Sequence, residues 1–203
     1  MREYRKRYFS VLSCLVVIFL VCSNVPGSQA KTESGKAEEA VISKVVQHLK
    51  DKKADLGDKD LRTVADTIWR ASLDRNVDYR LVLAVIEVES NYRHDAVSPD
   101  GSRGIMQLKP STARVIAKKT DLSGNGSLNL FDPRVNIKIG VYFLSQLMAE
   151  FKTVRKALYA YNVGPHRAKR SIARLPMHKD PQSTFTRRVM LAFQNNLSTL
   201  PAF

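Results

Sequence analysis

Two glutamates near the end of an apolar segment are the residues best suited to chemistry in this sequence. The segment is a predicted helix that begins at Tyr79, with Asp78 as its N-cap. Its apolar residues are Leu81, Val82, Leu83, Ala84, Val85, Ile86 and Val88. A helix that is apolar almost all round is buried, so the carboxyl groups of Glu87 and Glu89 carry a desolvation cost. Residues two apart point to nearly opposite sides of a helix, so at most one of them faces a given cleft.

Burial would give such a carboxyl group a chemical use. Desolvation raises the pKa of a carboxyl group, and a group that keeps its proton at neutral pH can act as a general acid. The alternative is that both glutamates are ion-paired surface residues, with Arg80, Arg93 or Arg103 as partners.

A polar loop over residues 91–104 follows the glutamates. Pro99–Gly101 is a turn signal, and Gly104 lets the backbone approach a ligand closely. Ser98 and Gln107 supply hydrogen bonds that suit sugar hydroxyl and acetamido groups. The loop therefore places hydrogen-bonding groups and turn residues directly after the two acids.

Four motifs occur in order from the second glutamate onward. The first is Glu89-Ser90 with Ser98-Pro99, and the second is GSRGIMQ (Gly101 to Gln107) with Pro110 to Ala113. The third is Phe131 to Pro133 with Asn136, Ile137, Gly140 and Tyr142. The fourth is AYNVGP (Ala160 to Pro165). In this order and spacing they resemble the signature of the SLT-type lytic transglycosylases, lysozyme-like enzymes that cleave peptidoglycan. The resemblance covers roughly residues 64–195.

The resemblance implies an all-α, predominantly helical lysozyme-like domain with a catalytic groove. It implies that Glu89 is the catalytic residue, that Tyr161 faces this glutamate, and that Asn162 braces the site. The substrate-binding residues that it implies are Ser98, Met106, Gln107, Tyr161 and Asn162. For Met106, simple filling of the core is an equal alternative.

The chain departs from the family pattern at three places. Arg93 and His94 stand where the family commonly has Asn-Pro, and Arg103 stands where it usually has a small residue. Phe185 takes a tyrosine position in a final motif whose glutamate is missing. Added bases beside the groove would favour an anionic stem peptide, whereas an Arg103–Glu89 pair would lower the pKa of the acid and weaken acid catalysis.

Residues 1–30 have the form of a secretory signal. Basic residues at positions 2, 5, 6 and 7 precede a short apolar run over 11–21, and Ser28 to Ala30 form a cleavage site. An uncleaved N-terminal anchor is the alternative. We expect an exported protein of the periplasm or cell envelope. Both cysteines, Cys14 and Cys22, lie in this leader, so the mature chain would have no disulfide or thiol chemistry.

The sequence divides into three units: the leader (1–30), a charged arm (31–60) and the SLT domain (61–203). The arm has an apolar helical face from Val41 to Leu49, and either docks on the domain or forms a spacer. In the domain we predict helices at 61–75, 111–119, 133–151, 154–161, 166–174 and 184–197, and a loop at 121–129. Trp69 is expected in the core, and Gly140 is expected to permit close helix packing.

The charge of the chain is strongly positive and unevenly placed. The formal net charge is +14, and without the leader, which has four basic residues and one acid, it is +11. Residues 152–188 hold ten basic residues against Asp180. Such a block favours an anionic partner, and the export signal favours the cell wall or an anionic envelope surface over nucleic acid. A solvated basic face without a partner remains open.

The resemblance implies a mechanism that needs one acid. Glu89 would protonate the oxygen that joins N-acetylmuramic acid to N-acetylglucosamine. It would then act as a base toward the muramoyl 6-hydroxyl, which leaves a 1,6-anhydro product. The alternatives are a goose-type-lysozyme-like hydrolase that holds a water with Asp95 or Asp100, and a wall-binding or secretion-apparatus module without turnover. The four histidines lack metal spacing and no GxSxG motif occurs, so we expect no metal or cofactor.

Overall fold

The computed structural model describes residues 26–120, 128–176 and 179–203, and these residues form eight helices. The helices are α1 (Pro26–Asp51), α2 (Asp58–Arg75), α3 (Tyr79–Ser90), α4 (Pro110–Thr120), α5 (Pro133–Phe151), α6 (Val154–Val163), α7 (Pro165–Ile172) and α8 (Thr184–Thr199). The prediction of an all-α fold is confirmed. Most of the predicted leader (1–25), including both cysteines, and most of the loop predicted at 121–129 lie outside the described residues.

Helix α3 lies at the centre of the fold because it is apolar on nearly every side. Its residues from Leu81 to Ile86 are all buried, and it packs mainly against α8 and α2. Both ends are set by local sequence, as predicted for the first. The Asp78 side chain accepts a hydrogen bond from the Arg80 backbone N–H, and Asn91 ends the helix in the left-handed conformation (φ 51°).

Helix α5 packs against α2, α6 and α4. Asp132 caps it by accepting the Arg134 N–H, with Pro133 in the first turn. Gly140 was expected to allow two helices to approach, but its neighbour is a loop residue. A Cβ atom at Gly140 would lie 2.4 Å from Sδ of Met106, so the glycine makes room for that side chain.

The charged arm is part of the core. Val41, Ile42, Val45 and Leu49 of α1 are buried, and α1 packs against α2. Its end also reaches the centre of the fold, because a ring nitrogen of His48 lies 2.9 Å from the hydroxyl of the buried Tyr92. Helix α1 thus docks on the domain and holds the segment that follows α3.

The remaining predictions differ from the structure mainly at helix ends. Helix α2 begins three residues before the predicted start, and α6 continues two residues beyond the predicted end.

Strand pairing in the described residues is limited to isolated bridges, two of which join Arg103 to Val97 and to Leu108. None of the helices found in those residues is long and apolar enough to cross a membrane.

Candidate active site

A cavity of about 270 Å³ opens between the end of α3, the loop that follows it, and the junction of α6 and α7. Its lining residues are Glu89, Ser98, Asp100, Ser102, Gln107, Leu108, Lys109, Thr112, Phe143, Tyr161, Asn162, Val163, Gly164 and Pro165. The cavity thus brings together four of the five substrate-binding residues that the sequence indicated, beside the second glutamate.

The two glutamates have different surroundings, as their spacing requires. Glu87 faces α1, where its carboxylate pairs with Lys52 at 2.9 Å. Glu89 is partly buried in the wall of the cavity. Burial, with a smaller effect from the negative charge of Asp100, raises the pKa of Glu89 to about 8. The second glutamate therefore holds its proton at neutral pH, as a general acid must.

Buried hydrogen bonds hold the loop after α3 in place. The Ser90 hydroxyl donates to the Ile105 carbonyl at 2.8 Å. The side-chain amide of Asn136, on α5, donates to the carbonyls of Arg103 and Leu130, and its oxygen accepts the Met106 N–H at 2.9 Å. A buried asparagine with all these bonds satisfied fixes the backbone on which the groove residues stand.

Gly104, which was expected to let the backbone approach a ligand, instead lets the loop pack closely against Leu130 and Asn136. A Cβ atom there would lie 2.1 Å from the Leu130 carbonyl oxygen and 2.2 Å from Nδ2 of Asn136, and the residue has a positive φ of 78°. The close approach that requires glycine is therefore to the start of α5 and not to a ligand.

Tyr161 lies between the cavity and the core. It is buried, and its hydroxyl donates to the Met106 carbonyl at 2.9 Å. Burial and, less strongly, the charge of Glu89 raise the pKa of Tyr161 well above its usual range, so the phenol stays neutral. Its ring stacks on Phe185 (interplanar angle 3°). The next residue, Asn162, is exposed at the rim.

Gln107 and Met106 are adjacent in sequence and point to opposite environments. The Gln107 amide donates to the carbonyls of Ala96 and Gly104, both at 2.9 Å, and the residue lines the cavity. Met106 is fully buried and its side chain packs against Gly140. The sugar-groove position expected for the Met106 side chain is therefore wrong, because the loop turns this residue into the core. Only its peptide group serves the site, by accepting from Tyr161.

A cluster of polar groups lies on the loop opposite Glu89. Asp100 accepts hydrogen bonds from the hydroxyls of Ser98 and Ser102, and its other carboxylate oxygen pairs with Lys109 at 3.2 Å. These hydrogen bonds, from Ser98 first, hold the pKa of Asp100 well below its usual range. Asp100 therefore remains an anion at the pH at which Glu89 is protonated.

The basic residues that depart from the family pattern lie off the groove. The Arg103 guanidinium sits over the ring of Phe131, 5.9 Å from its centroid. Arg93 pairs through its backbone with Asp55, and a ring nitrogen of His94 lies 2.9 Å from the Asp55 carbonyl oxygen. The alternative in which Arg103 pairs with Glu89 does not form, because neighbouring loop residues alternate in direction and Ser102 takes the groove side.

The family model of the transglycosylase SLT domain matches residues 66–182, more than half of the chain. The chain belongs to the transglycosylase SLT domain family. This confirms the resemblance that the motifs indicated. Helix α1 lies outside the matched range.

Two relatives match about half of this chain and are longer than it. The transglycosylase of Enterobacteria phage PRD1 is 35% identical over 103 residues, which cover 51% of this chain and 36% of the relative. The soluble lytic murein transglycosylase of Escherichia coli (strain K12) is 31% identical over 106 residues, which cover 51% of this chain and 16% of the relative. The chain thus spans only a part of each relative's length.

Solved structures show the same fold for the SLT domain. The 70 kDa soluble lytic transglycosylase of Escherichia coli superposes with a TM-score of 0.60 at 23% identity, over 75% of this chain and 29% of that one. The lytic transglycosylase Slt of Pseudomonas aeruginosa gives a TM-score of 0.58 at 23% identity, over 77% and 28%.

Several groups in the SLT site escaped the sequence-based prediction. Thr112 and Phe143 line the groove, and Asn136 supports it from α5. The asparagine had a detectable signal, since a polar residue in an apolar helix must find hydrogen-bond partners when it is buried. Thr112 lies in the motif from Pro110 to Ala113, which did not indicate which of its residues faces the groove. Phe143 had no signal, because its place on the wall depends on how α5 packs.

Proposed function

We propose that this SLT domain is a peptidoglycan lytic transglycosylase with Glu89 as its catalytic residue. The observation that carries the proposal is the partly buried carboxyl group of Glu89, with its pKa raised to about 8, in the wall of a polar cavity. The relatives are named as enzymes of this kind.

The proposed reaction proceeds in two proton transfers. Glu89 donates its proton to the oxygen that joins N-acetylmuramic acid to N-acetylglucosamine, and the bond from the muramoyl C1 to that oxygen breaks. The resulting carboxylate then takes the proton of the muramoyl 6-hydroxyl while this oxygen bonds to C1. The product carries a 1,6-anhydro ring, Glu89 regains its proton, and no water is consumed.

The wall of the groove supports such a substrate. Ser98, Gln107 and Asn162 present polar groups of the kind that sugar hydroxyl and acetamido groups bind, and Tyr161 closes the site behind the acid. The rings of Tyr161 and Phe185 lie parallel, with their centroids 6.5 Å apart. We place the enzyme in the periplasm or cell envelope, where its substrate lies.

Hydrolysis is the second candidate, because one further carboxylate lines the same cavity. Asp100 lines the cavity, whereas Asp95 is exposed outside it. A carboxylate across a groove from a general acid can activate a water in an inverting glycosidase. Asp100 already accepts from two serines and pairs with Lys109, which favours a supporting role over that of a base.

Mass spectrometry of soluble products released from purified sacculi tests the proposal. Wild-type protein is expected to release muropeptides that end in 1,6-anhydro-muramic acid, and Glu89→Gln is expected to release none. Glu87→Gln is the matched control, because it changes an ion-paired glutamate on the same helix and should leave the products unchanged. Reducing-end products would show a hydrolase. Binding without products from the wild type would show a module that holds the wall.

A further inference from the structure

The carboxylate of Asp100 decides which way the Ser98 hydroxyl points. Ser98 donates its one proton to Oδ1 of Asp100, and its oxygen accepts the Ser102 N–H at 3.0 Å. The Ser102 hydroxyl donates to the same carboxylate oxygen at 3.0 Å, and the second oxygen pairs with Lys109. The groove-facing serine is thus held from two sides within one short loop.

A hydroxyl group has one donor and two acceptor positions. With the proton given to Asp100 and one lone pair given to Ser102, Ser98 keeps a single acceptor position. It can receive a hydrogen bond from a sugar hydroxyl or an acetamido N–H, but it cannot donate to a sugar oxygen. The serine therefore selects donor groups of the substrate.

From this geometry we propose that Asp100 is a positioning residue of the groove, which holds Ser98 as an acceptor toward the sugar and keeps a negative charge beside Glu89. The inference rests on the proposed function and adds to it a specificity device. Asp100 does not itself touch the reacting atoms. It acts through Ser98 on the substrate and through its charge on the acid.

Among the described residues of the cavity wall, Asp100 is the group that can supply a negative charge beside Glu89. In the part of the chain that the structure describes, the other such groups on the cavity wall are Lys109 and Tyr161. Lys109 is paired with Asp100, and Tyr161 is neutral and donates to the Met106 carbonyl. The wall residues from α4, α5 and the start of α7 are Thr112, Phe143 and Pro165, which carry no charge. The charge of Asp100 adds to burial in raising the pKa of Glu89.

Two substitutions separate the two parts of this role. Asp100→Asn keeps an oxygen that accepts from both serines and removes the charge. Asp100→Ala removes the acceptor, so the Ser98 proton is released and the hydroxyl rotates. Asp95→Asn is the matched control, because it removes an exposed carboxylate from the same loop that does not line the cavity.

The charge is tested by a titration that needs no turnover. The side-chain carboxyl carbon of Glu89 is followed by NMR in ¹³C-glutamate-labelled protein and assigned with Glu89→Gln. Asp100→Asn is expected to move the Glu89 titration to lower pH, and Asp95→Asn to leave it in place. A Glu89 titration that is identical in wild type and Asp100→Asn overturns the electrostatic role.

The positioning is tested by binding in the Glu89→Gln background, with a tetrasaccharide of alternating N-acetylglucosamine and N-acetylmuramic acid. Adding Asp100→Ala is expected to raise the Kd about threefold to tenfold, the cost of one lost hydrogen bond. Adding Asp100→Asn is expected to raise the Kd less than Asp100→Ala does, because its amide oxygen still accepts from both serines. An unchanged Kd with Asp100→Ala overturns the positioning role. Failure of the proposed function appears separately, as an absence of anhydro products from wild-type protein.

Discussion

Glu89 places a carboxyl group in the wall of the cavity, where burial disfavours its charged form. The native protein therefore favours the protonated form, and the pKa rises from an ordinary value of 4.5 to about 8. The raised pKa that makes the residue a useful acid is also a liability for the fold. Between these two pH values the unfolded chain can ionise this group freely, whereas the native protein cannot.

This difference predicts a pH-dependent gain in stability for Glu89→Gln. The wild-type protein keeps its full stability with respect to this group below pH 4.5, where Glu89 is protonated in both the native and the unfolded state. That stability is lost as the pH rises towards 8, because the native state then binds more protons at this site than the unfolded state. Glutamine stays neutral throughout, so the Tm difference between variant and wild type should grow across this range. Thermal unfolding followed by circular dichroism measures it.

Glu87→Gln is again the control, because the Glu87 carboxylate pairs with Lys52 and does not line the cavity. A Tm difference for Glu89→Gln that stays constant across the range would contradict the raised pKa.

Helix α1 is an element that the family model does not include but the core does. Its buried side chains pack on α2, and His48 in its last turn reaches Tyr92. Lys52, directly after the helix, pairs with Glu87. Tyr92 follows α3 directly and has a positive φ of 62°, a conformation that needs support from its surroundings. The arm thus braces the helix that carries the candidate acid, Glu89.

Truncation of the α1 interface should therefore destabilise the whole domain. Leu49 is fully buried, and Leu49→Ala is expected to lower the free energy of unfolding by roughly 2–5 kcal/mol, the usual cost of a large-to-small change in a core. Urea unfolding followed by the fluorescence of Trp69, the only tryptophan, measures the loss. Lys44→Ala, on the exposed side of α1, is the control.

If Leu49→Ala and Lys44→Ala behave alike, α1 is not part of the cooperative unit. A loss of stability with Leu49→Ala alone shows that the SLT core extends beyond the range that the family model matches.

At the scale of the whole molecule, exposed basic residues lie on α7, which begins at the cavity wall, and on α8. Helix α7 begins at Pro165 on the cavity wall and carries exposed Arg167 and Arg170, while Arg187 is exposed on α8. Some of the nearby charge is paired, as in Lys169 with Glu150. The unequal distribution favours attraction of an anionic polymer towards the groove.

Binding to sacculi is therefore expected to weaken with salt. In the Glu89→Gln background, the bound fraction in a pull-down should fall between roughly 0.01 and 1 M salt, where the Debye length falls from ~30 to ~3 Å. Replacement of Arg167, Arg170 and Arg187 by glutamine should weaken binding and flatten this dependence. Replacement of Lys36, Lys44 and Lys59 removes the same charge from the neutral arm and serves as the control. If both triple variants weaken binding equally, the cause is the net charge of the protein and not the exposed arginines of α7 and α8.

Features that depend on neighbours in sequence were predictable from the sequence itself. The caps at Asp78 and Asp132 and the left-handed end of α2 at Asn76 follow from residue types within a few positions, because helix ends are satisfied locally. The opposite directions of Glu87 and Glu89 follow from helical periodicity. The family followed from motifs whose order along the chain is itself a property of the sequence.

Only the tertiary structure decided which groups meet across the fold. It turned Met106 into the core against Gly140, set Arg103 over Phe131 and not beside Glu89, and docked α1 on the domain. It also placed the Asp100 cluster on the wall opposite the acid. These contacts join segments far apart in the chain, and a loop side chain takes its direction from the partners that pack around it. The sequence determined the family and the candidate acid, and packing determined the environment that raises the pKa of this acid.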